Sequence, residues 1–450
     1  MFKEKMRIIK IINGLLVNEG NITKQDILVK NDRIVKIGNS IKFSGESKVI
    51  DASGKIIFPG LIDDQVHFRE PGLTNKATIK SESKAALAGG ITSFLEMPNT
   101  NPQTITIADW EEKNKLASKT SFANYSFMFG GTNDNLDQIL ALDNKRVPAL
   151  KLFLGSSTGN MLIDDPEVLK EIFRSTKLVI AVHCEDEQTI KNNLKIAKEK
   201  YGDKIPVDQH PVIRDENACY LSSSRAVALA KETGARLHVF HLSTAKEISL
   251  FQNNMPLNEK KITAEVCIHH LWFNDLDYKK KGTLIKWNPS IKSKKDQEAL
   301  WDGLNNDFLD VLATDHAPHT INEKLNDYNK SPSGGPLVQH ALPALLTAYH
   351  KGLVSLEKIV EKACHNPAIL FDIKERGYIK EGYFADLVFI DIDKEYKITK
   401  NDLLYKCGWS PFEGTKFKGK IEKTILNGTL VYDKGKINSK SAAKELTFNR

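Results

Sequence analysis

Short apolar runs broken by polar turn residues stand at 8–12, 14–17, 26–30, 33–37 and 48–51. They predict short strands, and the pairs Asn31-Asp32 and Ser53-Gly54 suit tight antiparallel turns between them. The same texture returns only near the end, at 385–390 and 423–432. Two β-rich segments of one style at opposite ends of a chain predict one small domain closed by both, a β-sandwich over residues 1–57 and 380–450.

The rhythm changes over residues 58–379. Continuous apolar, β-rich runs stand at 61–67, 91–97, 125–129, 149–154, 178–183, 237–241, 262–267 and 311–315, separated by helical stretches such as 79–88, 166–174, 218–232 and 356–365. Strands buried on both faces and joined by helices make a parallel sheet, and eight of them close into a barrel. The predicted fold class is α/β: a (β/α)8 TIM barrel carrying the small β-sandwich domain of the terminal segments. Segment 316–335, rich in Asn, Lys and Ser, is expected to be a mobile loop over the barrel mouth.

Most of these runs end in a residue able to do chemistry: His67, Asn99 just past Met97, Lys151, His183, His241, His269 or His270, and Asp315. A single His or Asp at a strand end is more often a cap or a satisfied hydrogen-bonding group than a catalyst. So many ends in step resist that explanation, because barrel active sites form where the carboxyl ends of the strands converge.

Composition narrows the function without choosing it. With 41% hydrophobic and 27% charged residues among 450, the chain has the make-up of an ordinary globular protein too long for one small core. Its net charge of +7 is dispersed, and runs such as Lys279-Lys280-Lys281 lack interleaved aromatics, which argues against a nucleic-acid partner. No apolar run approaches the roughly 18 residues of a membrane span. MFKEKMRIIK lacks a signal-peptide core, so a cytoplasmic location with no membrane partner is expected. Cys184, Cys219, Cys267, Cys364 and Cys407 show no CxxC spacing, which argues against a disulfide framework or a zinc ribbon and predicts reduced residues in or near the core.

The stretch from Gly60 to Gly72, GLIDDQVHFREPG, opens the barrel region. Alternate strand residues share a face, so Gln65, His67 and Arg69 project together. Imidazoles and carboxylates are zinc ligands, which makes His67, His183, His241 and Asp315 a candidate ligand set. An ammonium would repel a cation. Lys151 fits only if burial keeps it neutral and it reacts with CO2 to give an anionic carbamate able to bridge two metals.

GLIDDQVHFREPG resembles the first metal motif of the amidohydrolase superfamily, whose pattern is His-x-His, and its REPG end resembles the dihydroorotase branch; Gln65 stands where the superfamily has its first His. ALKLFLGSSTGNM around Lys151, AVHCED around His183, HVFHLST around His241 and ATDHAPH around Asp315 resemble dihydroorotase strand-end motifs, in the family's order. With HNPAILF, GYIKEGYFADLVFID and WSPFEGTKFKGKIEKTILNGTLVY, the resemblance runs from about residue 13 to 432. It implies a metal-dependent cyclic amidohydrolase that closes N-carbamoyl-L-aspartate to L-dihydroorotate in de novo pyrimidine (UMP) biosynthesis. It also implies one metal position from Gln65, His67 and Asp315, a second from His183 and His241, and carboxylated Lys151 bridging the two, with Asp315 moving the proton. A glutamine amide oxygen is a feeble zinc ligand, so the first metal is expected to be weakly held or absent, giving one or two Zn2+ per chain.

The same resemblance assigns the substrate's carboxylate to Arg69 and to Asn99 of EMPNTNP, joined by His319 of DHAPH and Asn288 of KWNPSIK. His269, His270, His316, His340 and His365 are read as structural, His270 being nearest to an exception. Two alternatives stay open. One is another cyclic amidohydrolase, a hydantoinase or allantoinase, against which Arg69 with Asn99 argues; the other is a catalytically silent homologue kept as a scaffold, which Gln65 alone favours. The expected partner is the small-molecule substrate, and because the family often forms dimers, a second copy of the chain.

Overall fold

A computed structural model describes residues 7–155 and 161–450; residues 156–160 of the motif around Lys151 lie outside the described residues. Eight parallel strands form the barrel: β1 (Leu61–Val66), β2 (Ile91–Glu96), β3 (Asn124–Phe127), β4 (Ala149–Leu154), β5 (Val179–Cys184), β6 (Leu237–Val239), β7 (Ile262–Cys267) and β8 (Val311–Ala313). β3 resumes after Met128 as Phe129–Gly130, which pairs with β4, so the ladder runs unbroken from β1 to β8. The ring closes where Val66 bridges His316 and the His67 N–H donates to the His316 carbonyl at 2.7 Å. The eight apolar runs are thus the eight barrel strands. Every residue of β1, β2 and β5 is buried, as strands covered on both faces require.

Helices fill the connections and start where the sequence supplies caps. Thr78 accepts from the Ser81 N–H at the head of Ile79–Ala88, Asp165 and Pro166 open Pro166–Ser175, and Asp215 caps Glu216–Thr233, which Gly234 ends at φ 72°. The stretch expected to be one helix at 356–365 divides into α-helix Leu356–Val360 and a π-helical turn, Glu361–His365. No helix among the described residues is long and apolar enough to cross a membrane.

The terminal segments build one nine-stranded sheet, in the order Lys436–Ile437, Thr429–Asp433, Lys416–Leu426, Leu387–Lys397, Ile56–Pro59, Ile8–Asn18, Asn21–Lys30 and Arg33–Gly38, with Lys48–Asp51 also on Ile8–Asn18. The two runs expected at 8–12 and 14–17 are one strand interrupted by a bulge between Ile11 and Gly14. Ile56–Pro59 pairs with the C-terminal strand Leu387–Lys397 and leads through Gly60 directly into β1. A Cβ at Gly60 would lie 2.1 Å from the Thr92 hydroxyl oxygen, so only glycine lets sheet and barrel join this closely. The last residues leave the sheet for the floor of the barrel. There Leu446 and Phe448 pack with Phe371 beneath Ile62, Ala149, Val179 and Val311 at the amino ends of the strands.

Asp386 ties the sheet to the barrel. Its carboxylate, almost fully buried, pairs with the buried Arg376 guanidinium and accepts from the Asn427 N–H at 2.7 Å and the Asn124 side-chain amide at 3.2 Å. Asp386→Ala strands a buried guanidinium, and a loss of about 3–5 kcal/mol in denaturant-unfolding stability is expected. A loss below about 1 kcal/mol would show that the pair does little for the junction.

Segment 316–335, expected to be mobile, is laced to its surroundings by two buried lysines. Lys324 donates to the carbonyls of Lys286 and Pro332 at 3.1 and 2.8 Å, and Lys286 donates to those of Tyr328 and Ser331 at 2.7 Å each. Ammonium groups satisfy loop carbonyls that no ladder reaches, a device invisible in the composition of the loop.

Candidate active site

The carboxyl ends of the strands bring Gln65, His67, Arg69, Asn99, Lys151, His183, His241, Asn288, Asp315 and His319 to one cavity of about 240 Å³. A larger cavity of about 480 Å³, between helix Ala341–His350 and the terminal sheet, is lined by none of them. Three of the cavity residues have left-handed backbones that side chains seldom adopt: Arg69 at φ 67°, His241 at 40° and Asp315 at 46°. Such conformations cluster where geometry serves function.

Proton positions follow from the hydrogen bonds. His67 sits between two acceptors, with Asn99 Oδ1 2.8 Å from its Nδ1 and Asp315 Oδ1 3.2 Å from its Nε2. Glu185 Oε2, 3.0 Å from His183 Nε2, takes that ring's proton and leaves His183 Nδ1 turned to His241 Nε2 at 3.0 Å. Burial would raise the Glu185 carboxyl, but the Arg214 guanidinium paired with it and His183 hold it down to about 2. Burial lowers His183 and takes His241 well below the usual imidazole value, His183 adding to the second. His183 therefore turns Nδ1 into the cavity, backed by the Glu185 carboxylate as metal-binding histidines are, and meets His241 Nε2 there.

Lys151 is 1% exposed, and its Nζ has no hydrogen-bond partner among the described residues. Burial beside the Phe153 and Phe240 rings pulls its ammonium down to about 7, although Asp315 and Glu265 favour the charge. The donors suit divalent cations: His183, His241 and Lys151 on one side, His67 and Asp315 on the other. Gln65 lines the same cavity beside the first position, its Oε1 3.6 Å from the Cys267 sulfur.

Opposite the imidazoles, Arg69 is buried, its Nε donating to the Pro318 carbonyl at 3.0 Å. His319 Nδ1 accepts from Lys76 Nζ at 3.0 Å, so Nε2 carries the proton and donates to the Ser333 carbonyl, also at 3.0 Å. Arg69 Nη2 lies 3.1 Å from that protonated nitrogen, which offers it no acceptor. Asn288 Oδ1 accepts from the Ser333 hydroxyl at 2.9 Å and lines the same wall.

Residues that sequence reasoning passed over support these groups. Glu185 could have been found from its place two residues past His183; nothing in the sequence marks Arg214 as its partner. Asp63 braces the β1–β8 junction by accepting from the Thr314 hydroxyl at 2.6 Å and the Thr314 and Gln65 N–H groups. His269 stacks on Trp287 with centroids 4.6 Å apart, His270 Nε2 donates to the Pro289 carbonyl at 3.1 Å, and His316 bonds Glu82 at 2.9 Å. His340 lies 3.0 Å from the Tyr405 hydroxyl, and His365 donates to the Gly377 carbonyl at 2.6 Å.

Residues 56–431 match the Amidohydrolase family profile. The chain belongs to the amidohydrolase family. A dihydroorotase of Methanosarcina mazei is 33% identical over 445 residues, covering 96% of each chain. An allantoinase of Desulfitobacterium hafniense is 34% identical over 444 residues, 96% of this chain and 97% of that one. Among solved structures, the L-hydantoinase (dihydropyrimidinase) from Arthrobacter aurescens matches with a TM-score of 0.93 at 29% identity, covering 98% of this chain and 99% of that one. These relatives make the chain a hydrolase of cyclic amides in a family that is generally metal-dependent, and their names divide over the substrate.

Proposed function

We propose that the chain is a dihydroorotase that interconverts N-carbamoyl-L-aspartate and L-dihydroorotate, with Zn2+ held by His183, His241 and Lys151 and, more weakly, by His67 and Asp315. The reading is carried by Arg69, a buried guanidinium in the cavity wall with unused donors, flanked by Asn288 and His319. A planar carboxylate, which dihydroorotate carries beside its amide, fits such a fork. Asn99, bonded to His67, joins the carboxylate side to the metal side.

Bound Zn2+ would polarise the scissile carbonyl and acidify water. Lys151, its ammonium weakened to about 7 by its apolar niche, would take up CO2 through its neutral form and supply a second anion to the metal position. Asp315 would accept the proton of the attacking water and return it to the ring nitrogen that leaves, while Arg69 holds the ring so that its carbonyl stays in reach.

A second reading, an allantoinase, is favoured by the 34% identical relative of that name. Arg69→Met separates the two. In a dihydroorotase it removes the partner of a buried carboxylate, and kcat/KM for dihydroorotate is expected to fall roughly a hundredfold or more, mostly through KM. Faster turnover of allantoin than of dihydroorotate by the unmodified protein, or a variant within threefold of it on dihydroorotate, would favour the other ring. No turnover of either with zinc and bicarbonate supplied would leave the scaffold reading standing.

A further inference from the structure

One layer below the cavity, nearer the amino ends of the strands, Asp64 of β1, His238 of β6 and Glu265 of β7 converge, each fully buried. Their donor atoms all lie within 4.8 Å of one another. His238 Nδ1 is 2.8 Å from Thr263 Oγ1, whose own proton goes to the Leu237 carbonyl at 3.2 Å. The ring therefore donates through Nδ1 and turns Nε2 toward Asp64 Oδ2 at 3.4 Å and Glu265 Oε2 at 3.9 Å. Neither contact is a hydrogen bond, and His238 Nε2, both Asp64 oxygens and Glu265 Oε2 have no hydrogen-bond partner. Phe240 and Phe371 meet the His238 ring edge-on at 5.3 and 5.9 Å, so the niche is walled by aromatic carbon.

Two carboxyl groups and an imidazole nitrogen turned to one another without a hydrogen bond in such a niche are costly unless something between them meets all three. The two carboxyl groups hold the His238 imidazole up to about 9, and burial with Asp64 beside it pushes the Glu265 carboxyl up to about 7, yet at 3.4 and 3.9 Å neither proton completes a hydrogen bond within the group. A divalent cation meets all three donors and neutralises both carboxylates. We propose that Asp64, His238 and Glu265 form a metal site for a first-row divalent cation, separate from the ligands of the cavity above. Bonds of about 2.1 Å need donors roughly 3.4 Å apart, so each side chain has to move by less than about an ångström. A cation there would also steady the cavity floor. Glu265 Oε1 accepts from the His241 N–H at 3.0 Å and from the Cys267 thiol at 3.1 Å, and that thiol is the group that touches Gln65.

The test removes the upper ligands first, so that it does not depend on the dihydroorotase reading. His183→Ala/His241→Ala protein, loaded with Zn2+ or Mn2+ and dialysed, is expected to keep about one metal per chain by elemental analysis. Adding Asp64→Asn and His238→Gln should abolish that remainder while circular dichroism stays unchanged. Crystals of the unaltered protein should show an anomalous peak at the metal edge between Asp64, His238 and Glu265, a readout that no folding defect can mimic. No metal in the upper-site variant, or crystals loaded with either metal that lack the peak, overturns the proposal. So would a count unaffected by Asp64→Asn/His238→Gln in folded protein.

Discussion

Lys151→Ala is expected to lower kcat on dihydroorotate by roughly a thousandfold or more, the several kcal/mol that a metal-held transition state stands to lose. The fold should survive, because Lys151 Nζ makes no hydrogen bond among the described residues and removing it also removes a buried amine. The pH dependence of stability supplies a signature that activity cannot. In the metal-free protein burial depresses the folded-state value of Lys151 to about 7 from its ordinary 10.5. Between those two values the unfolded chain binds a proton that the folded chain does not, so this residue makes stability rise with pH across that window, and its cost is complete below it. The variant should lose that rise. Turnover within tenfold of the unmodified enzyme, measured with zinc and bicarbonate present, would mean that the lysine is not at the reacting centre.

Asp315→Asn should reduce kcat by about a hundredfold to ten-thousandfold, the range for losing a positioned acid–base group, with KM for dihydroorotate nearly unchanged. The split matters because Asp315 also faces His67 at 3.2 Å and stands among the candidate metal donors. If the carboxylate served only to hold a cation, excess zinc would restore most of the rate to the variant. If it carries the proton, saturating zinc leaves kcat low while the metal content recovers. Asparagine keeps the shape and the oxygen, so a change in folding is not expected, and thermal melting checks it.

Legibility differed between parts of the site. Strand-end residues were readable because period two sets which side chains share a face and because apolar runs mark where each barrel strand stops. Lys151 and His183 share the cavity for that reason, while His67, His241 and Asp315 stand one or two residues past the ends of β1, β6 and β8. Gln65 was readable as a departure, and the structure adds that its oxygen lies 3.6 Å from the sulfur of Cys267, a residue 202 positions away. Glu185 was within reach of the same parity rule. Arg214 was not, since it arrives from a turn between two helices and meets Glu185 only through packing.

By itself, then, the sequence determined the eight-stranded barrel, the pairing of the two chain ends in one β unit, and the set of chemical groups at the strand mouths. These rest on local periodicity and on caps, which act over a few residues. Tertiary structure alone decided which partners the ring nitrogens of His67, His183 and His241 meet, which carbonyls of segment 316–335 Lys286 and Lys324 bond, and how residues 446 to 448 reach the barrel floor. It also decided that Asp64, His238 and Glu265 point at one spot. That convergence depends on the closure and mutual offset of strands far apart in the chain, and no local pattern of apolar and polar residues records such an offset.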